Sequence, residues 1–312
     1  MKSSLKIFCA AAVLGLFTVP GIFAADFEIR QEAEFKKIVP AGSHLRKLAG
    51  GMKFIEGPVW VPAGGYLVFS DIPADELKKW SEREGLSVFR KPSHSSNGNT
   101  LDRQGRLVTC EHSGRRVAFQ DDKNGALKTL VGEFDGKKFN SPNDVVVKSD
   151  GTIWFTDPDY GLGNNPKEMA GNFVFRFEPK TKKISTVVKD FDKPNGLCFS
   201  PDEQRLYVAD SGQPHHIRVF DVKKDGSLEN GKIFCVIEKG VPDGIRCDAG
   251  GRIWSSASDG VQIFAPDGSL IGKILAPESP ANLCFGGKDF KTLFITAQTS
   301  LYAIDVAVKG AR

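Results

Sequence analysis

Five oxygen-bearing side chains, Glu56, Asn97, Asn143, Asn195 and Asp243, each stand in a short Gly- or Pro-flanked turn that runs into an apolar strand. The turns are IEGPVW, SNGNTLD, PNDVVV, PNGLCF and PDGIRC. A sixth turn of the same form, PANLCF, places Ala281 at the corresponding point, where no polar role remains. Carboxylates and amides of this kind form a hard, all-oxygen donor set. Calcium takes six to eight such oxygens, whereas magnesium demands a tighter octahedron. Glu56 and Asp243 balance a divalent charge, Asn143 and Asn195 add amide oxygens, and coordination positions remain for water or substrate. Ligand hardness favours calcium, with magnesium, manganese or zinc as substitutes. Asn, Asp and Gly are also good turn formers, so one such position carries little weight alone. Glu is a poor turn former, which makes Glu56 the hardest to dismiss, and recurrence does the rest.

Residues this far apart can act together only if the chain brings them to one place. The six turns are separated by 41, 46, 52, 48 and 38 residues. A period of this length with strands inside each unit marks a β-propeller, in which equivalent positions converge on a central axis. After each turn come an apolar run, a polar turn and a second apolar strand, as in KSDGTIWFTDP and SPDEQRLYVAD. Further strand pairs around polar turns, such as NFVFRFEPKTKKISTVVKDF, fill the interval to the next unit. The expected fold is all-β: a six-bladed propeller of four-stranded antiparallel blades over residues 51–312, with a central metal channel. Helix should be minimal, because no sustained run of apolar residues recurs at three- and four-residue spacing. The last stretch, SLYAIDVAVKG, is too short for a full outer hairpin. An N-terminal arm, residues 26–50, carrying short strands in KKIVPAG and LRKLAGG, is therefore expected to help close the ring.

Residues 1–25 read as a secretory signal peptide. Lys2 and Lys6 precede an apolar stretch from Ile7 to Phe23, and Ala24-Ala25 close it. The cut itself is not fixed by the sequence. Pro20 and Gly21 interrupt the segment and no long apolar stretch follows, which argues against a retained membrane anchor. The expected location is periplasmic or secreted. Removing the leader takes two lysines and no acids, so the formal charge falls from +4 to about +2. No basic patch interleaved with aromatics stands out, which leaves nucleic-acid binding without support. Five cysteines remain, Cys110, Cys198, Cys235, Cys247 and Cys284, in apolar contexts and without a CxxC. They read as buried core residues, not as a disulfide framework or a thiolate metal site.

The motifs FIEGPVW, SPNDVVVKSDGTIWFTDPDYG, PNGLCFSPD, YVADSG, VPDGIRCDAGGRIW and CFGGKDFKTLFIT resemble those of the senescence marker protein/gluconolactonase/luciferin-regenerating-enzyme family, over about residues 45 to 305. NGNTLDRQGRLVTCEHSGRRV is especially similar to the bacterial gluconolactonase branch. The resemblance implies a six-bladed propeller with a divalent cation in its channel, hydrolysing lactones, with related members acting on organophosphates. Motif by motif, it implies Glu56, Asn195 and Asp243 as metal ligands and Asn143 as a channel amide that binds either metal or substrate. It places Asn97 and Asn99 in a second-blade turn within reach of substrate hydroxyls. Glu111 and His112 end that blade's inner hairpin and are candidates to line the mouth.

The chemistry expected of such a site is metal-assisted hydrolysis of a sugar lactone, such as gluconolactone, to the aldonic acid. Calcium acidifies water only weakly, so a carboxylate should serve as general base. Asp243, charged and at a ligand position, is the candidate. No GxSxG elbow is present and no triad stands out, which disfavours a covalent route. Two alternatives keep the scaffold: hydrolysis of a phosphotriester or another ester at the same site, or a non-catalytic propeller that binds a sugar or protein around a structural ion.

Overall fold

The computed structural model describes residues 26–120 and 125–311; the expected signal peptide, 1–25, lies outside them. The described chain opens with β1 (Phe27–Ile29), α1 (Glu32–Ile38) and β2 (Arg46–Ala49). Blade 1 follows as β3 (Ile55–Val61), β4 (Tyr66–Asp71), β5 (Glu76–Ser81) and β6 (Gly85–Arg90). Blade 2 is β7 (Ser96–Leu101), β8 (Leu107–Glu111), β9 (Arg116–Gln120) and β10 (Lys128–Val131). A small hairpin, β11 (Glu133–Phe134) and β12 (Lys137–Lys138), leads to blade 3: β13 (Val145–Val147), β14 (Ile153–Asp157), β15 (Asn172–Glu178) and β16 (Lys183–Phe191). Blade 4 comprises β17 (Pro194–Phe199), β18 (Arg205–Asp210), β19 (His216–Val222) and β20 (Leu228–Val236). Blade 5 comprises β21 (Ile245–Cys247), β22 (Ile253–Ala257), β23 (Gly260–Phe264) and β24 (Leu270–Leu275). Blade 6 has β25 (Pro280–Gly286), β26 (Thr292–Ala297) and β27 (Ser300–Asp305).

Each blade is an antiparallel meander, and the first strands touch their neighbours all the way round, from β3 through β7, β13, β17 and β21 to β25 and back to β3. The molecule is a six-bladed β-propeller with its first strands innermost. The fourth strand of blade 6 is β2, which pairs with β27 with Arg46 opposite Ala303. β1 adds a fifth strand to blade 5, with Phe27 opposite Ile274.

Strand alternation sends apolar side chains into six wedges, one between each pair of blades. Trp154 and Val174 of blade 3 meet Leu197 and Val208 of blade 4, and Tyr207 and Ile217 of blade 4 meet Ile245 and Phe264 of blade 5. The first and last blades join through Phe69 and Phe294. All five cysteines among the described residues are free and buried. Burial pushes the thiols of Cys198, Cys235 and Cys284 up to about 12, so they pack as protonated, inert hydrophobes.

The arm differs from expectation at one point. KKIVPAG is not a strand: Lys36–Ile38 form the last turn of α1. Phe35 and Ile38, three apart, share the buried face and pack against Val261 and Ile274 of blade 5. The outer face is paired, with Lys36 on Glu32 and Lys37 on Glu34. A Cβ at Gly272 would lie 2.7 Å from the Phe35 ring, so β24 accepts the helix only because that position is glycine. A helix of seven residues does not form on propensity alone. Tertiary burial decides it, and Phe35→Ala is expected to lower unfolding free energy by about 3 kcal/mol, read from the urea midpoint.

Candidate active site at the mouth of the channel

The six turns lie at the entry to the innermost strands, where the blades come closest. Their backbones are knitted together. The residue after the ring position donates its N–H to the next blade: Gly98 to Asn143 O at 2.7 Å, Gly196 to Asp243 O at 3.1 Å and Gly244 to Ala281 O at 2.8 Å. Hydroxyls on the second strands complete the lattice, Ser70 Oγ on Asn97 O at 2.7 Å, Thr156 Oγ1 on Asn195 O at 2.8 Å and Ser256 Oγ on Ala281 O at 2.8 Å. This close approach dictates the glycines. A Cβ at Gly57, where φ is 54°, would lie 2.0 Å from Asn97 O, and one at Gly196 would lie 2.3 Å from Asp243 O.

With the carbonyls held in the lattice, the ring side chains are gathered around the channel. Glu56, Asn97, Asn143 and Asn195 are buried, and Asp243 is partly open to solvent. The Glu56 and Asp243 carboxyls meet. The Asn282 amide lies beside Glu56, and the Asn195 amide lies beside Asp243. Burial, reinforced by Asp144, raises Glu56 to about 7. Burial, with Glu56 and Asp144 nearby, holds Asp243 well above the usual carboxylate range. The Oδ1 atoms of Asn97, Asn195 and Asp243 are buried without a hydrogen-bond partner.

Beneath the ring, Arg246 Nη1 of blade 5 reaches across to Asp144 Oδ2 of blade 3 at 3.2 Å and also donates to Ile245 O at 2.7 Å. Three carboxyl groups with one guanidinium leave two negative charges when all are ionised. Two facing carboxyls require a proton or a cation between them, and the orphaned Asn195 amide oxygen beside them suits a hard cation. Among the described residues no three His, Cys, Asp or Glu side chains gather as a metal group. The oxygens that meet here are carboxylate and amide, a chemistry that fits a hard divalent ion.

Glu56, Asn195 and Asp243 thus lie together, and Asn143 joins them at the ring through its backbone, its carbonyl accepting from Gly98 N. Two of the expected substrate contacts, Asn99 and Glu111, are engaged in the scaffold instead. Asn99 spends its whole side chain on the lattice: Nδ2 donates to Gly57 O at 2.8 Å, Asn97 O at 2.9 Å and Ser70 Oγ at 3.0 Å, and Oδ1 accepts from Thr109 Oγ1 at 2.8 Å. It staples blade 1 to blade 2. Glu111 is fully buried, with Arg116 Nε 2.6 Å from Oε2 and Arg90 Nη2 3.9 Å from Oε1, so it anchors two arginines instead of lining the mouth. His112 is buried beside the ring, with Nε2 3.1 Å from Asn97 Nδ2, and burial pushes it down to about 4.

Three residues escaped the sequence reading. Ala281 brings no side-chain oxygen, yet blade 6 contributes through the next residue, Asn282. The signal was present: the residue after the ring position is Gly in four turns, and the two exceptions are Asp144 and Asn282. Arg246 lay unremarked in an apolar strand. Tyr160, in the loop between β14 and β15, brings its hydroxyl to the Ser211 and Asn195 side chains, and burial raises it to about 12, which keeps it a proton donor. A cavity of about 420 Å³, lined by Trp60, Arg103, Phe199, Arg246 and Phe285, opens at the other end of the same strands. None of the six ring residues lines it.

The chain is 34% identical to a gluconolactonase of Zymomonas mobilis over 301 residues, covering 88% of this chain and 84% of the relative. It is 27% identical to pentonolactonase XacC of Haloferax volcanii over 251 residues, covering 77% and 80%. The solved structure of a Xanthomonas campestris gluconolactonase superposes with a TM-score of 0.85 at 35% identity, covering 91% of this chain and 95% of that one. The pattern described as SMP-30/Gluconolactonase/LRE-like region matches residues 54–299, and with that extent of match the chain belongs to this family.

Proposed function

We propose that this protein hydrolyses a sugar lactone to its hydroxy acid at the Glu56–Asp243 mouth of the channel, with a divalent cation, Ca²⁺ by donor hardness. The meeting of the Glu56 and Asp243 carboxyls beside the orphaned amide oxygen of Asn195 carries the proposal. The names of the relatives, gluconolactonase and pentonolactonase, support a small lactone as substrate. Glu56, Asn143, Asn195 and Asp243 would hold the cation. When bound, it supplies positive charge that polarises the lactone carbonyl.

The chain's own residues do the rest. Asp243, partly open to solvent, takes a proton from water as the water oxygen bonds to the carbonyl carbon. The ring C–O bond then breaks, and the proton passes to the departing ring oxygen, giving the open hydroxy acid. Asn282 fixes the Glu56 carboxyl, and Arg246 offsets Asp144 so that the floor of the site adds no net charge. Tyr160, protonated at working pH, offers a hydrogen bond at the rim. The test is hydrolysis of several aldonolactones, followed by acid release, with Ca²⁺ and with chelator. Turnover should require the ion, and a folded, calcium-loaded protein that leaves every lactone intact would overturn the proposal.

A further inference from the structure

Asn97 holds the same ring place in blade 2 as Asn195 in blade 4, and its Oδ1 is likewise buried without a partner. Its amide nitrogen behaves differently. Asn195 lies beside Asp243, whereas Asn97 Nδ2 faces His112 Nε2 at 3.1 Å. Both residues are more than nine-tenths buried, Asn97 at 3% and His112 at 7% exposure. Burial keeps the imidazole uncharged at neutral pH, and a neutral ring nitrogen opposite an amide NH₂ accepts from it. An amide whose nitrogen is engaged in this way must present its oxygen on the other side.

His112 is also wedged from behind. A Cβ at Gly161 would lie 2.4 Å from His112 Cγ, so the loop between β14 and β15 rests directly on the ring. Ser141 Oγ holds that loop by accepting from Gly161 N at 2.8 Å and donating to Pro158 O at 2.6 Å. The neighbouring residue is Tyr160, whose hydroxyl reaches Asn195. The imidazole is therefore clamped between Asn97 and the loop that carries Tyr160 to the rim, with little freedom to release the amide.

We propose that His112 is a positioning residue that turns the Asn97 carbonyl oxygen toward the substrate, where it accepts a hydrogen bond from a hydroxyl of the lactone ring. The inference rests on the lactone reading above and gives it a specificity: polyhydroxylated lactones are preferred over bare ones. A site that leaves a buried acceptor unpaired rejects the analogue lacking the donor. The function proposed above gives the cation Glu56, Asn143, Asn195 and Asp243, which leaves the Asn97 oxygen for substrate.

The experiment compares kcat/KM for D-glucono-δ-lactone and for δ-valerolactone, which carries no hydroxyl, in wild type, His112→Phe, His112→Gln and Asn97→Leu. Calorimetric Ca²⁺ affinity is measured in each. The ratio of the two kcat/KM values should fall about tenfold in His112→Phe and in Asn97→Leu, the size expected for one buried neutral hydrogen bond. His112→Gln should recover most of the ratio, since its amide oxygen can accept from Asn97. Ca²⁺ affinity should stay within about twofold throughout. An unchanged ratio, or equal losses on both lactones, overturns the proposal, and so does a tenfold loss of Ca²⁺ affinity in Asn97→Leu, which would put the oxygen on the ion. If His112→Phe fails to fold, Asn97→Leu and His112→Gln decide the matter. A wild type that opens neither lactone defeats the function proposed above, a result distinguishable from these.

Discussion

Asp243→Asn is expected to lower kcat for D-glucono-δ-lactone by roughly 10³-fold while leaving the metal-free fold at least as stable as wild type. The two effects have one cause. Asp243 is held above the ordinary carboxylate range by burial and by Glu56, so its ionised form is costly in the empty site. An amide of the same shape keeps the Asn195 contact and the backbone lattice but removes that charge. Without the carboxylate there is no base for the attacking water and one negative charge fewer for the ion. Removing one member of a strained buried pair should leave the other easier to ionise, which favours the folded state. The checks are steady-state kinetics at saturating Ca²⁺ and urea unfolding in chelator. Activity within tenfold of wild type would remove Asp243 from the mechanism, and a large loss of stability would mean that its charge is compensated in the empty site.

The second large effect is a pH dependence of stability that calcium suppresses. Glu56 titrates near 7 in the folded protein against a usual value of 4.5, and Asp243 is raised with it. A raised carboxyl pKa means that the folded state holds protons the unfolded chain has released. Its stabilising share is complete below the unfolded value and disappears as pH rises through the folded one. In chelator, unfolding free energy should therefore fall between pH 5 and pH 8. The Glu56 shift alone corresponds to about 3 kcal/mol. Asp157, also raised to about 7 by burial, contributes a similar slope but sits on the Asn140 and Ser141 amides, away from the carboxyl pair. Saturating Ca²⁺ should cancel the Glu56–Asp243 part and leave the Asp157 part, so the two stability curves diverge with rising pH. Superimposable curves with and without Ca²⁺ would show that no cation replaces the proton between the carboxyls.

How much of this was legible in the sequence follows from what the ring demands. The turns announced themselves because the lattice forbids a Cβ after most ring positions, which forced glycine beside Asn97, Asn195 and Asp243. Position along a repeat thus carried the site. Two kinds of residue were hidden. Some polar residues near the ring, Asn99 and Glu111, are consumed by structure, and only their hydrogen bonds separate them from site residues. Others enter from outside the repeat position, as Asn282 does one residue late, Arg246 across the channel and Tyr160 from a loop. The α1 helix was missed because its seven residues lack the length for a periodic signal and depend on the blade 5 surface.

The proposed site binds one divalent cation at the mouth of the channel, between Glu56 and Asp243. Calorimetric titration of Ca²⁺ into metal-free protein at pH 6, repeated in buffers of different ionisation enthalpy, tests it most directly. One ion per chain is expected, with release of protons on binding because the shared carboxyl proton is displaced, and at least tenfold weaker binding in Glu56→Gln. Binding without proton release, or with the same affinity in Glu56→Gln, would contradict it.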